Sequence, residues 1–266
     1  MRLYDRDYTQ LSPSENAKWL SLQQQEIVGK IGTMPITRSL FRQDPKAVRH
    51  YVHLFPNNYL DIVELRESSQ LTKQLVKFQE LLDSDEVDER AILNFINREH
   101  TYFIIASLLT HYHFGHHDAY LFPEFQLGNS YQVDYLLAGK GSGGWEFVFV
   151  ELESPTGSTT LANGELGSSF RKGMAQIADW NTWLEAHFCS LKETFDKCKR
   201  SDATLPNEFI TMDTSRLHYV VIAGRRKDFK ARTYRIQREQ DYGAKLILHY
   251  DKLVDTARAV IGAKTY

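Results

Sequence analysis

Between Ala119 and Leu152 three strand-like runs follow one another at hairpin spacing, and no other feature restricts the fold as tightly. They are Ala119 to Phe125, Gln132 to Leu137 and Trp145 to Leu152. The linker Gly139-Lys140-Gly141-Ser142-Gly143-Gly144 joins the last two as a hairpin turn. It is as glycine-rich as a phosphate loop, but it lacks the GKS or GKT ending and the helix that must follow.

The third run carries the chemistry. Period-two alternation puts Trp145, Phe147, Phe149, Glu151 and Glu153 on one face and Val148, Val150 and Leu152 on the other. Two carboxylates therefore continue an aromatic, core-facing row, where an ionised acid must hold its proton or meet a cation. Asp134 likewise interrupts the apolar run Val133-Asp134-Tyr135-Leu136-Leu137, and Glu124 repeats the pattern in Phe122-Pro123-Glu124-Phe125. The hairpin brings Asp134 near the start of one strand beside Glu151 near the end of the next, a cradle of oxygen ligands for a hard divalent cation. Taken singly, each acid reads as a strand-end group that is solvated or paired with arginines of 225–238; taken together, the acids of the three strands favour a metal site.

The flanking segments point to a mixed α/β sheet core in the order helix, three strands, helix, strand, preceded by a small α/β appendage. Ser12-Pro13-Ser14-Glu15 predicts a capped helix to about Val28, and Val48 to Leu54 with Tyr59 to Leu65 predict a hairpin across Phe55-Pro56-Asn57-Asn58, or a longer turn there. Helical spacing of Leu75, Phe78, Leu81 and Leu82 ends at Asp83-Ser84-Asp85, which is expected to cap a second helix with the stripe Ala91, Ile92, Phe95 and Ile96. A loop over Ser154 to Gly164 opens a helix through Phe170, Ile177 and Leu184; a polar, mobile insertion is expected near Lys197 to Asn207. Strands over Leu217 to Ala223 and Leu246 to His249 and a helix from Tyr250 to Ile261 complete the chain.

Among the 266 residues the longest apolar stretch, Phe103 to Leu109, is far shorter than the roughly 20 residues a spanning helix needs, and the N-terminus lacks a signal core. Cys189 and Cys198 form no CxxC. A soluble, cytoplasmic protein with no membrane partner is expected. Net charge is −2, so any polyanion must meet a local patch. Arg225 to Arg238 is the candidate, with seven Arg or Lys against Asp228 alone; it reads equally as a solvated edge or exposed helix. His111, His113, His116 and His117 are dense enough for a metal site, but without a supporting motif they read as a polar connecting loop. Trp180 and Trp183 read as packing residues.

Phe122-Pro123-Glu124, Val133-Asp134-Tyr135, Val150-Glu151-Leu152-Glu153-Ser154-Pro155 and Gln176-Ile177-Ala178-Asp179-Trp180, in that order, resemble the nuclease domain of the Shedu anti-phage defence proteins. That domain belongs to the PD-(D/E)XK restriction-endonuclease-like superfamily. The resemblance covers roughly 75–266, implying a nuclease domain there and leaving 1–74 for sensing or assembly. It implies a DNA endonuclease that forms a homo-oligomer, a dimer or tetramer, and uses Mg²⁺, with Mn²⁺ as an alternative. By motif match, Asp134 and Glu151 hold the metal, Gln176 supports the site, and Glu89 is a further acid on the leading helix; the Leu152 carbonyl, between the two strand-end acids, is expected to join the metal ligands.

One position departs from the superfamily pattern: Glu153 stands where a catalytic lysine is expected. A lysine there would offset charge developing on the phosphate. Glu153 can instead bind a second metal, and Lys172, four residues before Gln176 on the same helix side, is a candidate substitute. Arg225, Arg226, Lys227, Lys230 and Arg232 are candidate phosphate contacts. The alternatives are a catalytically impaired nucleic-acid sensor on the same fold and an RNA or junction nuclease.

Overall fold

The computed structural model describes residues 2–31, 34–84, 87–241 and 245–266. Helix α1 (Pro13–Glu26) begins as its sequence predicts: the Glu15 amide donates to the Ser12 hydroxyl, and the Ser12 amide donates back to the Glu15 carboxylate. A small hairpin of β1 (Ile27–Ile31) and β2 (Met34–Thr37) follows, separate from the main sheet.

The hairpin expected over 48–65 is replaced by helix α2 (Lys46–Tyr51) and short 3-10 turns at Pro56–Asn58 and Glu64–Arg66. Ala47 and Val48 bury on the inner side of α2, and Arg49 closes an ion pair of 2.8 Å on the fully buried Asp61 carboxylate. Pro56 has no amide for a ladder, and only Tyr59 makes a bridge to the sheet, opposite Tyr120. Alternating apolar residues in so short a stretch suit either structure, and the buried pair selects the curled one.

Next come α3 (Ser68–Leu82), α4 (Glu89–Arg98) and the short α5 (Phe103–Ala106). Asp88, rather than the 83–85 triplet, caps α4 by accepting the Ala91 amide at 2.7 Å; Asp85 lies outside the described residues. The three predicted strands are β3 (Asp118–Leu127), β4 (Tyr131–Gly141) and β5 (Gly144–Leu152), an antiparallel meander. Gly144 opens β5 at φ 102°, a conformation that glycine adopts without strain.

After β5 the chain forms α6 (Ser168–His187) and α7 (Leu191–Cys198) and returns as β6 (Leu217–Ile222). It ends with α8 (Ala231–Asp241), β7 (Lys245–Leu248) and α9 (Tyr250–Val260). The sheet order is β3-β4-β5-β6-β7, with β6 parallel to β5 and β7 parallel to β6. This mixed α/β sheet core has the expected order of helix, three strands, helix and strand, because parallel neighbours require the helical crossovers α6–α7 and α8.

The alternation of β5 separates two cores. Val148, Val150 and Leu152 pack with α3, α4, α5 and α9, while Trp145, Phe147 and Phe149 pack with α6 and α7. Segment 1–74 feeds both, Leu3 and Leu60 entering the first and Phe55 and Tyr59 the second. The insertion expected to be mobile is tied down: the Arg200 amide donates to Leu54 O at 2.9 Å, and its guanidinium reaches Val52 O at 3.0 Å. Both cysteines are free. Among the described residues no helix is long and apolar enough to cross a membrane.

Candidate functional site

The acids meet at one edge of the sheet. Tyr135 pairs with Val150, so one step further along the antiparallel ladder Asp134 and Glu151 stand opposite each other. On β3 the ladder passes over Glu124 between the pairs Pro123 with Tyr135 and Phe125 with Val133 without a change of register; Glu124 takes φ 49° there, opposite Asp134.

Asp134 Oδ2 accepts the Leu152 amide at 2.7 Å. Leu152 buries its side chain in the opposite core and presents only backbone to the site. Glu151 and Glu153 are each 3% exposed, at the end of the aromatic row. The Glu153 backbone is fixed on both sides: its amide donates to Ile222 O at 2.8 Å, and the buried Tyr250 hydroxyl donates to its carbonyl at 2.8 Å. Lys172 Nζ lies 3.1 Å from Glu153 Oε2 and 3.4 Å from Glu89 Oε2, bridging the two acids. Gly173 allows this approach, since a Cβ there would meet Val221 Cγ1 at 2.6 Å and Glu153 Cγ at 3.3 Å.

Burial, and then mutual repulsion, hold the cluster away from full ionisation. Desolvation raises Glu151 far above the ordinary carboxylate range, and the charges of Asp134, Glu153 and Glu89 add to it. Asp134 is raised by the same burial and by Glu89 and Glu153, against the bond from Leu152. Glu153 is raised by burial, offset in part by Lys172. Burial works against the Lys172 ammonium, yet its bonds to Glu153 and Glu89 keep it protonated.

The donor set suits a hard divalent cation: carboxylate oxygens dominate, and the buried Glu153 Oε1 and Gln176 Oε1 have no hydrogen-bond partner. Among the described residues no three His, Cys, Asp or Glu side chains are gathered closely enough to hold a metal as they stand, and Lys172 is the cation in contact with the acids. Glu124 remains at the rim, 47% exposed and 3.8 Å from Arg90. Arg90 was not foreseen; its adjacency to Glu89 in the first turn of α4 was the available signal.

The basic segment starts at the same edge, because the Gly224 amide donates to Ser154 O at 3.0 Å. Its first two arginines are engaged within the fold. Arg225 bonds both Asp251 oxygens, at 3.1 and 2.9 Å, and Asp83 at 2.8 Å, and it also reaches Leu82 O. Arg226 pairs with Asp255, and its amide donates to Asp251 at 2.7 Å. Lys227, Lys230 and Arg232 are exposed and have no ion pair among the described residues; Arg232 Nε lies 3.4 Å from Gly164 O. His113, His116 and His117 are exposed in the connection to β3, whereas His111 is held largely inside, with Nε2 buried. Trp180 is core.

A family model described as Shedu protein SduA, C-terminal, matches residues 86–254, more than half of the chain. The chain belongs to the Shedu family. The match contains every site acid and Lys172, Gln176 and the basic segment of this Shedu domain. No curated protein matches the chain. Among solved structures, the restriction endonuclease FokI bound to DNA is similar at a TM-score of 0.36 and 12% identity, over 76% of this chain and 30% of that chain.

Proposed function

We propose that this Shedu chain is a metal-dependent DNA endonuclease that hydrolyses phosphodiester bonds in anti-phage defence, with Asp134, Glu151 and the Leu152 carbonyl holding Mg²⁺ or Mn²⁺. Family membership supports a defence nuclease at a coarse level. The observation that carries the finer reading is the gathering of the buried Glu151 and Glu153 and the half-buried Asp134 at one sheet edge, where Lys172, on Glu153, is the single ion-pair partner of the three among the described residues. Structural acids so deeply buried are ordinarily matched by charge, so this shortfall suits a cation brought in with substrate.

A divalent ion bound there would supply Lewis-acid stabilisation of the phosphate and activation of water. The chain's own residues do the positioning. The Leu152 amide orients the Asp134 carboxylate, and Tyr250 and Ile222 fix the backbone that carries Glu153. Lys172, held by Glu153 and Glu89, brings positive charge to the position that the missing strand lysine would serve. Gln176 supports from the next turn of α6. Lys227, Lys230 and Arg232 grip flanking phosphates, contacts that set affinity and register. Segment 1–74 serves sensing or assembly of a homo-oligomer in this reading, and the nuclease domain spans 75–266.

A specific observation favours a second reading: with Glu153 in place of lysine, and Lys172 neutralised by two acids, the domain would bind DNA and signal without cutting. Calorimetric titration with Mn²⁺ separates the two. The nuclease reading expects saturable binding that disappears in Asp134→Ala and Glu151→Ala; no binding by the unaltered protein would move the choice to the sensor. Glu153→Lys should retain or raise cleavage, while complete loss would mark Glu153 as a metal ligand.

A further inference from the structure

Among the described residues Lys172 is the one cation in ion-pair contact with Asp134, Glu151 or Glu153, and the two ends of that contact differ in freedom. The Glu153 side chain is 4% exposed, and its strand is pinned by Ile222 O and the Tyr250 hydroxyl, so the carboxylate cannot withdraw. The ammonium can. The Lys172 side chain is 57% exposed on α6 and ends a flexible four-carbon stem. Its second partner, Glu89, is 36% exposed and holds it toward the rim at 3.4 Å.

The contact also leaves the acid half satisfied. Glu153 Oε2 meets Lys172 at 3.1 Å, while the buried Oε1 has no hydrogen-bond partner, and neither has the buried Gln176 Oε1 one turn further along α6. One positive charge therefore serves a cluster of four acids, Asp134, Glu151, Glu153 and Glu89, and from a removable position. A dication entering beside Asp134 and Glu151 has to do so against that ammonium, because like charges repel strongly where water is scarce. Once there, it would neutralise Glu153 in place of Lys172, and the lysine, still tethered by Glu89, is free to turn to another anion at the same rim.

We propose that Lys172 is a displaceable counter-ion that restrains metal loading: it occupies Glu153 in the metal-free chain and is released toward the substrate phosphate as a dication takes over. The inference rests on the nuclease reading and adds a regulation of that site, which stays closed to metal until an anion is present to receive the lysine.

The test is calorimetric titration of the full chain with Mn²⁺, comparing the unaltered protein with Lys172→Met, which keeps the stem and removes the charge, and with Lys172→Arg, which keeps the charge. Lys172→Met should bind Mn²⁺ more tightly by at least about fivefold, and Lys172→Arg should stay close to the unaltered protein. At one fixed Mn²⁺ concentration the rise in Tm should be larger for Lys172→Met by the same linkage. Plasmid cleavage in Mg²⁺ by that variant should fall despite its tighter metal, a division that a merely structural lysine does not produce. If Lys172→Met fails to fold, Lys172→Gln, which keeps a neutral hydrogen bond to Glu153, should show the same gain in affinity. Saturable binding by the unaltered protein with unchanged or weaker binding by the neutral variants overturns the counter-ion and leaves the nuclease reading in place. No Mn²⁺ binding by any of the proteins removes both.

Discussion

The acid cluster at the start of β4 and the end of β5 and the basic segment after β6 both gather charge at one sheet edge, yet the fold treats them oppositely. Glu151 and Glu153 are buried and Asp134 half-buried, with Lys172 as their single ion-pair partner among the described residues, and their protonation equilibria are pushed upward. Arg225, the most protected of the basic residues, is neutralised by Asp83 and Asp251. Charge density along a chain is therefore not the same as charge available for chemistry; availability depends on what the rest of the fold supplies as a partner.

The largest break in this comparison should come from the acids themselves. Asp134→Ala or Glu151→Ala should lower the rate of Mg²⁺-dependent cleavage by about a thousandfold or more with the circular dichroism spectrum unchanged. Nicking at the original rate by either variant would remove the site assignment. Arg225→Ala should act on the fold instead: losing its bidentate bond to the partly buried Asp251 and its bond to Leu82 O is expected to cost about 1–3 kcal/mol in urea titrations. A change in DNA affinity without a change in stability would contradict the capture of Arg225.

Neutralising a desolvated acid should have the reverse sign. The folded-state pKa of Glu151 is raised, so its penalty is absent below the unfolded value and grows as pH rises toward the folded one. Glu151→Gln should stabilise the metal-free protein at pH 8 by roughly 1–3 kcal/mol, an activity–stability trade seen as a higher Tm. A lower Tm would mean that the ionised carboxylate is better solvated than its burial implies.

A smaller effect comes from two histidines outside the site. Burial lowers His50 and His249 to about 4, and the His249 Nδ1 accepts the Lys252 amide as the cap of α9. Their stability contribution is complete above the unfolded value near 6.5 and is lost as pH falls from there toward 4. His50→Asn should flatten the acid limb of a Tm-against-pH curve; an unchanged limb would exclude it as a source. The smallest effect is expected at Lys227 and Lys230. Replacing either by Ala should leave Tm in place and reduce the salt slope of duplex binding by about 1.

The residues that could be read in advance are those governed by local period. The alternation from Trp145 to Glu153 fixes which side chains face which core, and the tight turn at Ser142-Gly143 aligns Asp134 with Glu151 without any long-range information. Failures occur where distant partners decide. The segment around Val48 has alternation compatible with a strand, but Arg49 and Asp61 pair only if it curls. Arg225 looks free in sequence because Asp83 lies 142 residues away. The positive φ of Glu124 likewise leaves no trace in composition.

Incubating the purified protein with supercoiled and linear DNA in EDTA, Mg²⁺ or Mn²⁺, beside Glu151→Ala, tests the central claim most directly. Cleavage that requires the metal and disappears in the variant is the predicted result. Intact DNA in every lane, or cleavage that survives in Glu151→Ala, would contradict it.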